Sequence, residues 1–198
     1  MLSGRDCFIV GSGSSLCGFD FNKLDKHFTI GMNHIVEHYD KLNCLLFADR
    51  IFVKTTPYDL SKFQGMIFAS EKATYQPEIE TIKNNDNFYI FQDNRGHLST
   101  DIEKDGLYHP TNSAIMAMNL ALIMNAKKIY LLGFDYVDKK GNRHFYPDYE
   151  HHKRYPMIKF LKKLDKMLAF VPHRDRFINL NPESGLNLFK KQNRSTVL

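Results

Sequence analysis

The chain has 198 residues with 43% hydrophobic and 25% charged side chains, which suits one domain burying about 70% of its unfolded surface and excludes two full-sized domains. No apolar run approaches the roughly 20 residues of a membrane-spanning helix, Cys7-Phe8-Ile9-Val10 is too short for a secretory core segment, and three cysteines without a CxxC spacing exclude a zinc ribbon and a disulfide framework, so the cytoplasm is the expected compartment. A formal charge of +5 permits an anionic partner, is read first as a solvated basic face, and does not argue for nucleic acid.

In chain order, short apolar runs rich in β-branched and aromatic residues predict strands at 7–10, 28–32, 44–47, 66–69, 88–91, 128–132 and 176–180. Residues 70–108 are richer in Asn, Asp, Glu and Lys and carry little periodicity. Residues 113–125 are nearly all apolar, which predicts a helix buried on most of its circumference, with Thr111 or Asn112 as its cap and Pro110 at its entry. Residues 137–155 read as a polar, aromatic and His-rich loop, a lid holding His144, Tyr146, Tyr149, His151, His152 and Tyr155.

A second helix over 156–170 sets Ile158, Leu161, Leu164 and Leu168 on one face and Lys159, Lys162, Lys163 and Lys166 on the others. Together with Lys190 and Lys191 these lysines suit a peripheral contact with the inner face of an anionic membrane, although a solvated face is the simpler reading. Residues 190–198 read as a polar tail that frays. Strands alternating with helices, several of them continuous apolar runs, predict an α/β fold: a single doubly wound, mainly parallel, Rossmann-like sheet over 1–198 with the short lid inside it.

The first strand runs into Gly11-Ser12-Gly13-Ser14-Ser15-Leu16. Glycines there let the backbone turn sharply and bring amides to an anion. A dinucleotide fingerprint fails, because Leu16 stands in place of the third glycine, and a P-loop is excluded because no Gly-Lys-Ser/Thr follows. Polar residues also end the other strands: Asn33 the second, Asp49 the third, Thr111 and Asn112 before the buried helix, and Gly133-Phe134-Asp135-Tyr136 after 128–132. Singly each reads as a cap or turn former; their common edge is where open parallel sheets bind ligands. His34-Ile35-Val36-Glu37-His38 matches HxxEH, with zinc ligation or surface histidines as its two readings.

The stretches IVGSGSSL with Asp20 and Leu24, Ile30 to His34 (IGMNH), HPTNSAIMAMNLALIMNAKKIYLLGFDY and INLNPESGLNLF resemble the bacterial sialyltransferases that use CMP-sialic acid to decorate lipooligosaccharide. More loosely the chain resembles the α/β proteins related to hydroxymethylpterin diphosphokinase. The resemblance implies a nucleotide-sugar site lined by Gly11, Ser12, Gly13, Asn33, Asp49, Thr111, Asn112, Ser113, Gly133 and Asp135, closed by Pro182 and Ser184. It implies His152 as general base, and Tyr136, His144 and Tyr146 beside the departing phosphate. The chain departs from the family pattern at Ser14, where Pro is usual, at Asp49, where Asn is common, and at Val137, where a tyrosine is expected, and its lid is shorter.

Three functions follow as expectations. The first is a metal-independent, inverting, sialyltransferase-like transfer from a CMP-activated donor to a glycan hydroxyl, without a further cofactor. The second is a pterin diphosphokinase-like phosphotransferase with Mg²⁺ on Asp49 and Asp135. The third is a non-catalytic nucleotide- or glycan-binding module. Self-association stays open.

Overall fold

The computed structural model describes residues 2, 4–109, 112–137, 144–146, 161, 162, 164, 166, 168 and 171–198. An eight-stranded sheet runs through it in the order β10-β9-β8-β1-β2-β3-β4-β5, with every pairing parallel. Its strands are β1 (Cys7–Val10), β2 (Phe28–Met32), β3 (Cys44–Phe47), β4 (Met66–Ser70), β5 (Phe88–Phe91), β8 (Ile129–Leu132), β9 (Phe177–Asn179) and β10 (Lys190–Lys191). A separate parallel pair joins β6 (Asp93–Asn94) to β7 (Leu107–Tyr108). Three α-helices lie wholly within the described residues: α1 (Arg50–Thr55), α2 (Ile102–Asp105) and α3 (Ser113–Ile123).

The strands alternate between two cores. Cys7, Ile9, Ile30, Leu46, Ile129 and Leu131 point to one face, where α3, Leu164 and Leu168 cover them. Phe8, Val10, Leu45, Phe47, Tyr130 and Leu132 point to the other, against Leu16, Leu24, Ile35, Phe52 and Val53. Burial on both faces is why β1, β3 and β8 are continuous apolar runs rather than alternating ones. The two faces are covered differently. The second carries 3-10 turns at Ser14–Leu16, Phe21–Leu24 and Asn33–Glu37 together with α1, because the connection after β1 is broken by Gly18, Asp20, Asn22 and Asp25 and holds no long helical period.

The buried helix of the sequence reading is α3, capped by Asn112, whose side chain accepts from the Ala114 amide at 2.7 Å. Its one polar residue inside the core, Asn119, is fully buried. It accepts from the Ser99 and Tyr108 amides (3.1 and 2.9 Å) and donates to the Ser99 carbonyl (2.8 Å). It therefore ties β7 to α3. Asn119→Ala leaves all three backbone groups unpaired and is expected to cost about 2–4 kcal/mol in urea unfolding.

Of the second predicted helix, Leu161, Lys162, Leu164, Lys166 and Leu168 are helical; Leu164 and Leu168 are buried while Lys162 and Lys166 are exposed, as the amphipathic spacing requires. The rest of that helix lies outside the described residues.

The tail expectation is overturned. Lys190–Lys191 pair with β9 as the outermost strand, Val197 and Leu198 pack against the second core, and Arg194 donates to the Ser15 carbonyl at 2.6 Å with its guanidinium over the Phe19 ring. Backbone pairing at an edge needs no apolar side chain, so the lysines hid it.

All three thiols are free. Burial pushes Cys44 up to about 12 and raises Cys7 still further, with Cys44 and Asp6 nearby adding to it, whereas Cys17 is exposed. A disulfide reagent at neutral pH should titrate one thiol in the folded protein and three after denaturation, since only a thiolate that can be reached reacts.

Candidate functional site

The strand order reverses between β1 and β8: β2 to β5 are laid down on one side of β1 and β8 to β10 on the other. Ligands of open α/β sheets bind beyond the carboxyl ends of the strands at such a point. Here the Gly11 amide donates to the Leu132 carbonyl (2.8 Å) and the Gly13 amide to the Gly133 carbonyl (2.9 Å), so the two glycine turns meet at one edge as the sequence reading expects. The fit demands glycine. A Cβ at Gly13 would lie 2.5 Å from the Asp135 carboxyl carbon and 2.6 Å from the Gly133 carbonyl oxygen.

Asp135 is buried in this crevice. Its carboxylate accepts from the Ser15 amide (2.7 Å), the Ser15 hydroxyl, the Asn181 amide side chain (2.8 Å) and more distantly the Ser14 hydroxyl (3.4 Å). These donors belong to the turns after β1 and β9, while Asp135 follows β8, so one carboxylate fastens three strand ends together. Ser184 works in the same frame: its hydroxyl donates to the Phe134 carbonyl (2.6 Å) and accepts from Asn179 (3.0 Å). Pro182 sits in the same turn. The oxygens of Asp135 and the hydroxyl of Ser184 are thus engaged by the protein, which makes both positioning groups of the crevice.

Two residues at this edge hold left-handed backbone without being glycine. Asn33, directly after β2, has φ 50°, and Tyr136, after Asp135, has φ 47°. Asparagine tolerates that conformation and tyrosine does so rarely. Such positions gather where a ligand is held. The Asn33 amide oxygen is buried without a hydrogen-bond partner. Burial pushes the Tyr136 phenol well above its usual value, outweighing the opposing hydrogen bond with Asn112, so the hydroxyl stays protonated and able to donate. Ser113 is half-buried in the first turn of α3.

Asp49 behaves as a helix cap. It is exposed and accepts from the Ile51 amide at 2.8 Å at the start of α1. Thr111, His151 and His152, and with them the expected base, lie outside the described residues, as does most of the lid. The described lid residues 144–146 fold back on the glycine turn: His144 forms an isolated antiparallel bridge with Gly13, its ring nitrogen Nδ1 is 2.7 Å from the Ser12 hydroxyl, and the Phe145 amide donates to the Ser12 carbonyl. Tyr146 is sandwiched between the near-parallel rings of His38 and His144, with centroids at 5.0 and 5.2 Å.

The HxxEH motif is the floor of that sandwich. In a 3-10 helix residues i and i+3 eclipse, so His34 and Glu37 pair at 2.6 Å with side chains 5% and 10% exposed, and the His34 ring also meets Phe52 and Tyr146 edge-on. Burial holds the His38 imidazole below its ordinary value, with His34 adding to this against the opposing pull of Glu37. Among the described residues no group of three His, Cys, Asp or Glu side chains could hold a metal ion. Among the described residues the motif forms no metal site: His34 is buried against Glu37 and Phe52, while His38 is exposed and stacks on Tyr146.

A cavity of about 360 Å³ lies at the opposite, amino edge, lined by Phe28, Leu42, Asn43, Gln64, Met66 and Asn87 among others. Its asparagines serve the fold: Asn43 accepts from the Thr29 amide and Asn87 donates to the Gly65 carbonyl. It carries neither left-handed backbone nor an unpaired buried group.

No helix among the described residues is long and apolar enough to cross a membrane. No family model matches the chain, and no curated protein matches it. Among solved structures it is similar to the MAf glycosyltransferase from Magnetospirillum magneticum AMB-1, with a TM-score of 0.61 at 12% identity, over 100% of this chain and 35% of that one. At that identity the likeness is one of fold, and the chain spans only 35% of that protein's length.

Proposed function

We propose that the chain is a glycosyltransferase-like protein that binds a nucleotide-activated sugar, a CMP-sugar by its sialyltransferase-like motifs, in the crevice between the turns after β1 and β8. The observation that carries this reading is the buried, unpaired amide oxygen of Asn33, held in left-handed backbone at the carboxyl edge. A buried acceptor without a partner costs about 1–3 kcal/mol, and a ligand N–H or O–H relieves it. The fold shared with a glycosyltransferase is consistent with this reading and does not decide it.

In the proposed reaction the acceptor hydroxyl attacks the anomeric carbon, the bond to the phosphate breaks with inversion, and an imidazole takes the hydroxyl proton. By the sialyltransferase resemblance that imidazole is His152. Tyr136, protonated at neutral pH, and the Tyr146 and His144 pair stabilise the leaving phosphate, a task of charge stabilisation that asks for no metal. The phosphotransferase reading needs Asp49 and Asp135 as Mg²⁺ ligands, and that donor set does not fit: the Asp135 oxygens face protein donors and Asp49 caps a helix on the surface.

A thermal-shift panel of CMP, CMP-sialic acid, UDP-sugars, GDP-sugars and ATP with and without Mg²⁺ tests the reading. Ligand at a hundred times its dissociation constant adds about 2.7 kcal/mol, which raises the melting temperature by about 5–10 °C at this chain length. A response confined to cytidine nucleotides is expected. A response only to ATP with Mg²⁺ restores the phosphotransferase, and CMP binding without turnover of any donor leaves a binding module. Asn33→Ala is expected to weaken CMP binding about 5- to 150-fold with the fold intact, by isothermal titration.

A further inference from the structure

Two buried side-chain polar atoms among the described residues have no hydrogen-bond partner: Asn33 Oδ1 and His109 Nδ1. Both stand at the carboxyl edge of the sheet. His109 directly follows β7, which with β6 continues beyond the end of β5, the Leu107 amide donating to the Gln92 carbonyl and the His109 amide to the Asn94 carbonyl. Three residues on, Asn112 opens α3 and shares a hydrogen bond with Tyr136 on the β8 side.

His109 faces a carboxylate that the protein holds in place. Asp93, with its side chain 8% exposed, accepts from the Ser70 hydroxyl at the end of β4 (2.9 Å) and from the Lys72 ammonium (3.0 Å). Burial disfavours its charge, yet these hydrogen bonds and the neighbouring His109 outweigh it and keep the carboxyl below the usual carboxylate range. His109 Nδ1 lies 3.2 Å from Asp93 Oδ1, close enough to bond but out of line for it. Hydrogen bonds of acid–base groups are often misaligned without substrate and tighten when it binds. An Asp that receives Nδ1–H leaves the Nε2 lone pair as the basic site. β4 lies two strands from β2, about 10 Å away, and three from β1, about 15 Å away, which sets the pair outside the crevice on its β2 side.

We infer that His109, oriented by Asp93, accepts the proton of the incoming hydroxyl at this edge. This rests on the glycosyl-transfer reading. The hydroxyl oxygen forms the new bond to the anomeric carbon, the carbon–phosphate-oxygen bond breaks with its electron pair leaving on the nucleotide, and the hydroxyl proton passes to His109 Nε2, where Asp93 balances the imidazolium and Lys72 keeps Asp93 ionised. His109 opens one of the stretches that carry the resemblance, but the resemblance assigns it no role, and the step competes directly with the assignment of the same proton to His152.

Release of CMP from CMP-sialic acid, with water as the nucleophile, separates the two. His109→Gln and His152→Ala are assayed beside the parent chain, with CMP affinity by titration and melting temperature as folding controls. Turnover of His109→Gln is expected to fall about 10²–10⁴-fold with CMP affinity within threefold, and imidazole added to His109→Gly should restore part of it, which no purely structural loss would allow. Asp93→Asn should lower turnover and leave CMP affinity unchanged. Parent-like turnover in His109→Gln overturns the inference, and so does a parent chain that binds CMP yet releases none from the donor. Failure of the parent to bind CMP instead defeats the donor reading on which the inference rests.

Discussion

Asp135→Ala is expected to destabilise the protein by about 3–5 kcal/mol, because hydrogen bonds to a charged group contribute about 1.5–3 kcal/mol each and several donors lose their acceptor together. The Ser15 amide and the Asn181 side chain would be left facing the space the carboxylate filled. At roughly 2–4 °C per kcal/mol for a chain of this length, the melting temperature should fall by about 6–20 °C. Asp135→Asn keeps the shape but turns one acceptor into a donor facing donors, so it should fall between. A loss below about 1 kcal/mol would mean that the three strand ends are held by the glycine backbone pairing alone.

Gly13→Ala is expected to act at the same place by the opposite route, overfilling it. The added Cβ meets the Gly133 carbonyl oxygen and the Asp135 carboxyl group, neither of which is the free end of a flexible chain. Overpacking of this kind costs about 1–3 kcal/mol, and relief requires the glycine turn to move away from the β8 turn. CMP affinity should therefore drop by about tenfold or more even at temperatures where the variant is fully folded. Gly96, whose Cβ would meet only the Asn94 side chain at 3.6 Å, is the matched control and should tolerate alanine.

Much of this architecture is legible in the residues. The seven apolar runs form strands; a four-residue segment such as Cys44–Phe47, buried on both sides, has little choice but to be apolar throughout, whereas the edge strand β5 leaves Tyr89 and Ile90 exposed. α3 is legible for the same reason. The pair β6 and β7 is not, since Asp93-Asn94 and Leu107-Tyr108 have no period of their own and meet only because Gly106, at φ 70°, brings the chain back against Gln92. β10 is hidden by its lysines.

The candidate site divides in the same way. Gly11, Gly13, Asn33 and Gly133 are marked by type and by their position at strand ends, signals that are local in sequence. Asp135 and Ser184 carry the same marks, yet their partners Ser15, Asn181 and Phe134 show that they hold the frame. The HxxEH spacing misleads because the segment winds as a 3-10 helix, which brings Glu37 onto His34. His109 is unreadable from spacing, because its character comes from Asp93, 16 positions earlier, and from Ser70 and Lys72 beyond that. Arg194 is hidden by distance too, bonding to Ser15 across 179 positions.

Hydrogen–deuterium exchange of the chain with and without saturating CMP shows at which end of the sheet the nucleotide binds. Protection is expected in peptides covering 11–17, 31–35 and 133–137, the strand ends that surround the crevice, with the amino edge unchanged. Protection confined to 40–43, 64–66 and 87, the rim of the opposite cavity, would contradict the account and move the nucleotide to the other end of the sheet.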